Sequence, residues 1–317
     1  MRLPSPILVT GAAGFIGANL LGRLLRGPRN NIHIFVKKDT AMWRIKHLRS
    51  KIKIHLVDIA DAASVLLAIK KVKPRTIFHL ATYGGYSHQR DEKAVISANI
   101  IGTHNLMRAC ATEGFAAFVN TGSSSEYGLC SKPMRESDAL KPNTLYGTTK
   151  VWATLFGQFL ARTRKLPIVT MRPFSVYGPY EPLCRLMPNL IVAAYQGKNP
   201  HLSSPTSVRD YIYIEDLVDA YLAVANKPAA GEIFNVGTGK QRTLREVFTT
   251  MKKILHSPME PIWDESVGRS FETKSWRADI SKMKQYYRWS PHHDLESGLR
   301  SMTSWFANNK HLYQISK

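Results

Sequence analysis

Residues 6–26 read PILVTGAAGFIGANLLGRLLR, an apolar run that passes through spaced glycines into a helical pattern. Few arrangements satisfy that order of strand, glycine turn and helix. Gly11 permits the tight turn, Gly14 lets backbone approach a pyrophosphate at the helix N-terminus, and Gly17 allows close helix–strand packing. A glycine triplet alone is a weak signal, but in this context it predicts dinucleotide binding. Phe15 and Ile16 follow Gly14 and are expected beside the same ligand. The plainer alternative is a glycine turn with no ligand.

The first half continues to alternate. Strands are expected at Asn31–Val36, Lys51–Val57, Arg75–Ala81, Phe115–Thr121 and Pro167–Phe174. Helices are expected at Asp61–Val72, Asp91–Gly114 and Thr144–Lys165. Such alternation predicts an α/β fold, a doubly wound parallel sheet with helices on both faces. After Phe174 the pattern changes to loop rich in Pro, Gly and Tyr. Helices are then expected near Met187–Gln196, Glu215–Ala225, Leu244–Leu255 and Leu295–Phe306, with short strands between. The expected division is 1–174 for the dinucleotide and 175–317 for a smaller α/β substrate lobe, with some exchange of elements between them.

Composition narrows the class. With 44% hydrophobic residues in 317, a sizeable core is available. No apolar run approaches membrane-spanning length, and the N-terminal run opens straight into the glycine turn, unlike a signal peptide. Cys110, Cys130 and Cys184 lack metal-type spacing and read as reduced thiols in a cytoplasmic protein. The balance of 44 Lys+Arg against 23 Asp+Glu gives +21. Because the basic residues are scattered, without a tail or an RNA-binding motif, a solvated basic surface is favoured over nucleic-acid binding.

The end of the second strand discriminates nicotinamide cofactors. An acid there accepts from the ribose 2′-hydroxyl, whereas basic groups pair with a 2′-phosphate. Here Lys37 and Lys38 stand before Asp39, and Arg44 follows. This favours NADP(H) over NAD(H), unless both lysines simply face solvent. Asp58 either accepts from the adenine amino group or caps a helix. The segment HLATYG, His79–Gly84, ends the fourth strand where the cofactor's backbone should pass, near Leu80, Ala81 and Thr82. His79 reads as a satisfied core histidine.

The segment LYGTTK places Tyr146 and Lys150 four residues apart, on one face of the expected helix. An ammonium beside a phenol is expected to lower its pKa and let it exchange a proton near neutral pH. The lysine can also hold the nicotinamide ribose.

The stretches TGAAGFIG, FHLAT, NTGSSSEYG, YGTTK, RPFSVYGPY and VRDYIYIEDLVDAY stand in the order seen in extended short-chain dehydrogenase/reductases. The chain resembles the nucleotide-sugar epimerase/dehydratase/reductase branch from about Ile7 to Trp305. The resemblance implies a Rossmann domain, a C-terminal nucleotide-sugar lobe, and often a homodimer built on the helices around Asp91–Glu113 and Thr144–Arg164. It adds Ile59, Asn99 and Pro173 to the expected cofactor contacts, with Tyr146 and Lys150.

In this branch the catalytic Ser/Thr lies four residues before the tyrosine of the YG pair, which points to Ser123. Dehydratases place an acid two before that tyrosine and an acid or polar residue three before. Here those slots hold Ser125 and Ser124, which would face the sugar. Glu126 falls in a slot without catalytic use and is expected to be a bystander pointing away. Serine has no useful pKa for elimination, so a 4,6-dehydratase is disfavoured. Ser123, Tyr146 and Lys150 suffice for hydride transfer at C4, by a 4-ketoreductase or a 4-epimerase. The lysines favour an NADPH-dependent reductase acting on a nucleotide-linked 4-keto-6-deoxy sugar, similar to enzymes that finish deoxyhexoses for surface polysaccharides. The epimerase is the alternative, and a non-catalytic dinucleotide sensor is a third reading. The resemblance implies that Arg209 and Arg269 contact the nucleotide diphosphate, with Arg277 weaker. Tyr83 and Tyr86 are candidates to flank the sugar.

Overall fold

The computed structural model describes residues 3–27, 31–264, 266 and 275–313. They fall into two compact units, one within the spans 1–128, 136–173 and 218–235, the other within 129–135, 174–217 and 236–317.

The first unit is built on β1 (Ile7–Thr10), β2 (Ile32–Val36), β3 (Lys53–Leu56), β4 (Thr76–His79), β5 (Ala117–Thr121) and β6 (Ile168–Pro173). With a seventh strand, Ile233–Val236, the order across the sheet is Ile233–Val236, β6, β5, β4, β1, β2, β3. β1 to β6 pair in parallel. This is the expected doubly wound Rossmann order, with the reversal between β1 and β4. Every residue of β1, β2, β4, β5 and β6 is buried, whereas edge strand β3 is only partly covered. Apolar runs without alternation follow from a parallel sheet enclosed on both faces.

The helices of this unit are α1 (Phe15–Arg26), α2 (Ala62–Val72), α3 (Glu92–Ile96), α4 (Gly102–Glu113) and α5 (Leu145–Arg164). α1 buries Ala18, Leu20, Leu21 and Leu24. The Asp61 carboxylate caps α2, accepting from Ala63 N at 3.0 Å and Ser64 N at 3.2 Å. α2, α4 and α5 cover the sheet through a core that includes Val65, Ile69, Ile77, Leu106, Phe118 and Leu160.

The helix expected over Asp91–Gly114 forms continuously from Glu92 to Glu113, with one wider turn inside it. A π turn, Ser97–Ile101, joins α3 to α4. It holds Asn99, 1% exposed, whose side chain is fully engaged. Asn99 Oδ1 accepts from Tyr83 N at 2.9 Å and the Thr82 hydroxyl at 3.0 Å. Its Nδ2 donates to Tyr83 O at 2.8 Å and Thr149 Oγ1 at 3.0 Å. The wider turn lies where the helix also meets Ile59: a Cβ on Gly102 would stand 2.6 Å from Ile59 Cγ1.

The second unit carries three short strand pairs: Ser175–Tyr177 with Tyr211–Tyr213, Val208–Arg209 with Arg242–Thr243, and His201–Leu202 with Ile262–Trp263. Its helices include Leu186–Tyr195, Leu244–Leu255, Ser281–Tyr287 and Leu295–Asn309. Among the described residues no helix is long and apolar enough to cross a membrane.

The two glycines of α1 give a matched test of the turn. A Cβ on Gly17 would lie 2.2 Å from Gly11 O, whereas one on Gly22 would meet nothing within 4 Å. Gly17→Ala is expected to cost about 1–3 kcal/mol in chemical denaturation. Gly22→Ala is expected to gain about 0.5–1 kcal/mol through helix propensity.

Candidate active site

β5 ends at Thr121, and a single 3₁₀ turn, Ser124–Glu126, follows Ser123. Ser123 Oγ accepts from Ser125 N at 3.1 Å, and Glu126 Oε1 accepts from Ser123 N at 2.9 Å. The sequence Ser-x-x-Glu thus forms a reciprocal capping box. Ser124 is buried and Ser125 half-buried.

Glu126 is not a bystander. It is 0% exposed, and its Oε2 lies 2.8 Å from both Nε and Nη2 of Arg172 on β6. Arg172 Nη1 donates to Tyr127 Oη at 2.8 Å, and Tyr127 Oη donates to Asn235 Oδ1 at 2.7 Å. Burial pushes the Glu126 carboxyl up, and Arg172 opposes that shift. The sequence reading expected Glu126 to point away from a sugar and did not foresee this inward pairing with Arg172.

α5 brings the other two groups to the serine turn. Thr144 caps the helix through Gly147 N at 3.0 Å. A Cβ on Gly147 would stand 2.6 Å from Ser125 O, so the glycine permits close approach. The Tyr146 phenol lies near enough to the Ser123 and Thr82 hydroxyls for both to favour its charged form. Lys150 is buried, donates from Nζ to Thr121 O at 2.9 Å, and lies 5.7 Å from the Tyr146 ring centre. The three expected catalytic side chains therefore gather at the end of β5.

Their charge states differ from expectation. Enclosure by protein pushes the Tyr146 phenol up to about 12, opposed by the Ser123 and Thr82 hydroxyls and reinforced by Glu126. Lys150 does not overcome this. Burial instead lowers the lysine itself to about 8, with Glu126 raising it. A low-dielectric site disfavours both ions. Tyr146 is thus held in its protonated form near neutral pH. His79 is a satisfied core histidine: Nδ1 contacts Thr10 Oγ1 at 2.7 Å and Nε2 contacts Thr103 Oγ1 at 2.9 Å. Burial lowers its pKa to about 3.

The glycine turn forms a cradle. A Cβ on Gly11 would stand 2.6 Å from Ala81 N and from the Leu80 carbonyl carbon, and one on Gly14 would be 3.1 Å from Gly11 O. No side chain caps the first turn of α1, and Phe15 and Ile16 begin it. Bare backbone at a helix N-terminus fits a dinucleotide pyrophosphate. Beside it, Ile59 and Leu80 are buried, and Asn105 Nδ2 donates to Ile59 O at 3.1 Å. Pro173 ends β6.

At the end of β2, Lys37 pairs with Asp58 at 3.0 Å, so each is already engaged. Asp58 Oδ1 accepts from Ala60 N at 2.9 Å, while the α2 cap belongs to Asp61. Lys38 is exposed. Arg44 stacks 4.3 Å from the Trp43 ring centre and donates from Nη1 to Ala13 O at 3.4 Å, at the glycine turn.

In the second unit, Arg209 lies 5.0 Å from the Trp276 ring centre. Its neighbour Asp210 is fully buried and accepts from Thr238 N, Thr238 Oγ1, Gly239 N and Ala278 N at 2.6–3.0 Å. Sequence reading passed over Asp210, which anchors the strand end that carries Arg209. Arg269 lies outside the described residues. Tyr83 contacts Asn99 through backbone, and Tyr86 stacks on His88 at 5.7 Å.

A sheet with the Rossmann order and a glycine cradle at the start of α1 fit an enzyme that uses a dinucleotide. Residues 7–237 match the NAD dependent epimerase/dehydratase family, and the chain belongs to it. A trifunctional UDP-glucose 4,6-dehydratase/UDP-4-keto-6-deoxy-D-glucose 3,5-epimerase/UDP-4-keto-L-rhamnose-reductase of Arabidopsis thaliana is 29% identical, over 96% of this chain and 47% of that protein. The chain spans about half the length of the plant relatives it matches. The UDP-glucose 4-epimerase of Thermotoga maritima, solved with UDP-glucose, gives a TM-score of 0.89 at 26% identity, over 96% of this chain and 99% of that one. The UDP-glucuronic acid 4-epimerase of Bacillus cereus, solved with UDP-glucuronic acid and NAD, gives 0.85 at 26% identity, over 96% and 99%.

The buried lysine carries a pH signature. Its pKa falls from 10.5 to about 8 on folding. The cost of burying the ammonium is therefore present in full below pH 8 and relieved as pH rises from about 8 to 10.5. Lys150→Met is expected to be about 2 kcal/mol more stable than the parent at pH 7, net of one lost hydrogen bond. Denaturation at pH 7 and pH 10 should show that margin shrinking at the higher pH.

Proposed function

We propose that the chain carries out NAD(P)-dependent oxidation and reduction at C4 of a nucleotide-linked sugar, with 4-epimerisation as the leading reading. The observation that carries it is the convergence of Ser123, Tyr146 and Lys150 beside the glycine cradle. In this reading Ser123 hydrogen-bonds the sugar's 4-oxygen and Tyr146 moves its proton. Lys150 orients the nicotinamide ribose, and its ammonium steadies the phenol's charged form when that form arises. The dinucleotide, when bound, takes and returns the hydride. Gly11 and Gly14 would receive its pyrophosphate, with Gly17 letting α1 pack close beneath them; Asp58, Ile59, Leu80, Ala81, Thr82, Asn99 and Pro173 would line its path.

Two 4-epimerases among the relatives favour epimerisation. The argument for a reductase is weaker than the sequence suggested, because Lys37 is engaged by Asp58. A second reading nevertheless keeps specific support. Tyr146 is held protonated, the form that donates to a keto oxygen, and exposed Lys38 offers a basic approach to a 2′-phosphate, with Arg44 held at the glycine turn by Ala13 O. That reading is an NADPH-dependent 4-ketoreductase acting on a 4-keto-6-deoxy sugar. A 4,6-dehydratase is disfavoured, since Ser124 and Ser125 fill the slots that would need acids and Glu126 is committed to Arg172.

The second unit is proposed as the nucleotide-sugar lobe, with Arg209 on the diphosphate, where a planar guanidinium gives paired hydrogen bonds. A homodimer is proposed on the α3–α4 and α5 surface, where Ile96, Ile101, Leu155 and Phe159 are exposed.

Incubation with nucleotide hexoses and NAD⁺, followed by NMR, is expected to yield the C4 epimer without net NADH. Consumption of NADPH with a nucleotide-linked 4-keto-6-deoxy sugar would select the second reading. Failure of both would remove the proposal. Tyr146→Phe is expected to lower kcat at least about 100-fold while leaving the protein folded. For cofactor choice, Arg44→Ala with Lys38→Ala is expected to weaken NADP(H) binding about tenfold and leave NAD(H) within about twofold, measured by fluorescence titration.

A further inference from the structure

We propose that Glu126 and Arg172 are positioning residues for the reaction, their buried pair holding the Ser123 backbone so that the serine hydroxyl stays against Tyr146. This rests on the reading that Ser123 and Tyr146 form the reaction centre. Neither residue touches that centre's reacting atoms; the positioning runs through Ser123, apart from the effect of the carboxylate's charge on Tyr146 and Lys150.

Three observations converge. The first is connectivity. One carboxylate joins the end of β5 to β6: Oε1 takes Ser123 N at 2.9 Å, and Oε2 takes Arg172 Nε at 2.8 Å. Arg172 passes the support on through Tyr127 to Asn235 on the seventh strand, at 2.8 and 2.7 Å. Asn235 N in turn donates to Glu136 Oε1 at 2.7 Å. The serine turn is therefore tied across three neighbouring strands.

The second is space. A Cβ on Gly122 would stand 2.4 Å from Glu126 Oε1 and 3.0 Å from Thr170 Cγ2. The residue just before Ser123 has no side chain where the carboxylate passes, so the stretch Gly-Ser-x-x-Glu is built as one unit. Gly147 makes the matching allowance on α5, letting the helix that carries Tyr146 close on Ser125 O.

The third is energetic. Both side chains are essentially excluded from solvent, at 1% and 0% exposure. A buried ion pair is weak as a source of stability, because desolvation offsets the attraction and an apolar pair of similar volume often holds a fold as well. Stability alone gives little reason for this pair. Fixing one backbone amide does, since a misplacement of about 1 Å at a reaction centre can cost on the order of 100-fold in rate.

The test separates an acceptor for Ser123 N from a mere core contact. Glu126→Leu with Arg172→Met removes both charges and the acceptor while keeping apolar volume. It is expected to lower kcat at least about tenfold with KM within about threefold, at an unfolding midpoint close to the parent's. Glu126→Gln with Arg172→Met restores an oxygen that can accept from Ser123 N and is expected to return kcat to within about threefold of the parent. An unchanged kcat in the first double variant, a loss confined to KM, or no rescue in the second would each overturn the proposal. Should both double variants fail to fold, Glu126→Asp keeps the charges but withdraws the carboxylate by one methylene. A kcat reduced about tenfold supports the proposal there, and an unchanged kcat overturns it. Crystal structures supply a readout without substrate: Ser123 Oγ is expected to move relative to Tyr146 in the first folded variant of this series, and an unmoved Oγ overturns the proposal. If the parent turns over no nucleotide sugar, the functional reading fails on its own while this structural arm still decides the positioning role.

Discussion

The Glu126 carboxylate is the link between the end of β5 and Arg172 on β6. It closes a capping box on Ser123, neutralises the fully buried Arg172, and requires a glycine at position 122. Arg172 then fixes Tyr127 and, through it, Asn235. Remove the carboxylate and a guanidinium is stranded inside a parallel sheet, an arrangement that costs several kcal/mol in other proteins. The reaction centre is thus supported from behind by the sheet, while α5 delivers Tyr146 and Lys150 from the other side through the glycine contact at 147.

Burial, more than the neighbouring lysine, governs the charges at this centre. Tyr146 and Lys150 are each pushed toward neutrality, the phenol up and the ammonium down. A phenol held protonated suits donation to an oxygen; a lysine near 8 remains mostly charged at neutral pH. Asn99 adds a fixed frame, with its π turn joining Thr82, Tyr83 and Thr149 around the same tyrosine. Such preorganised polar groups act where charge develops and need no rearrangement at that moment.

Much of this was legible in the sequence. The glycine turn, the alternation through Phe174 and the spacing of Tyr146 from Lys150 follow periodicities that local physics enforces. The sheet order and the gathering of Ser123, Tyr146 and Lys150 agree with them. What escaped was set by packing between distant segments. Arg172 in RPF looks like an ordinary strand residue until its partner, 46 positions away, is seen. The π turn at Asn99 leaves the apolar spacing of Asp91–Gly114 nearly intact, so the wider turn inside the long helix was not foreseen. Asp210 was overshadowed by Arg209, although only the fold reveals how many amides converge on its carboxylate. One signal was available and unused: Ser123-x-x-Glu126 is itself a capping-box pattern. The lysine effect on Tyr146 was overestimated because sequence spacing says nothing about desolvation.

Relatives of the chain are named for dehydration, epimerisation and reduction of nucleotide sugars. In this chain positions 124 and 125 are serines, and the neighbouring acid, Glu126, is paired with Arg172. The proposed hydride transfer at C4 rests on Ser123, Tyr146 and Lys150 gathering at the end of β5. The most direct measurement is isotopic: a nucleotide hexose deuterated at C4, turned over by the full chain with NAD⁺ and followed by mass spectrometry and NMR. Label found at C4 of the epimerised sugar, with none lost to solvent, is the expected result. Label washed out into water, or epimerisation with proton exchange at another carbon, would contradict it.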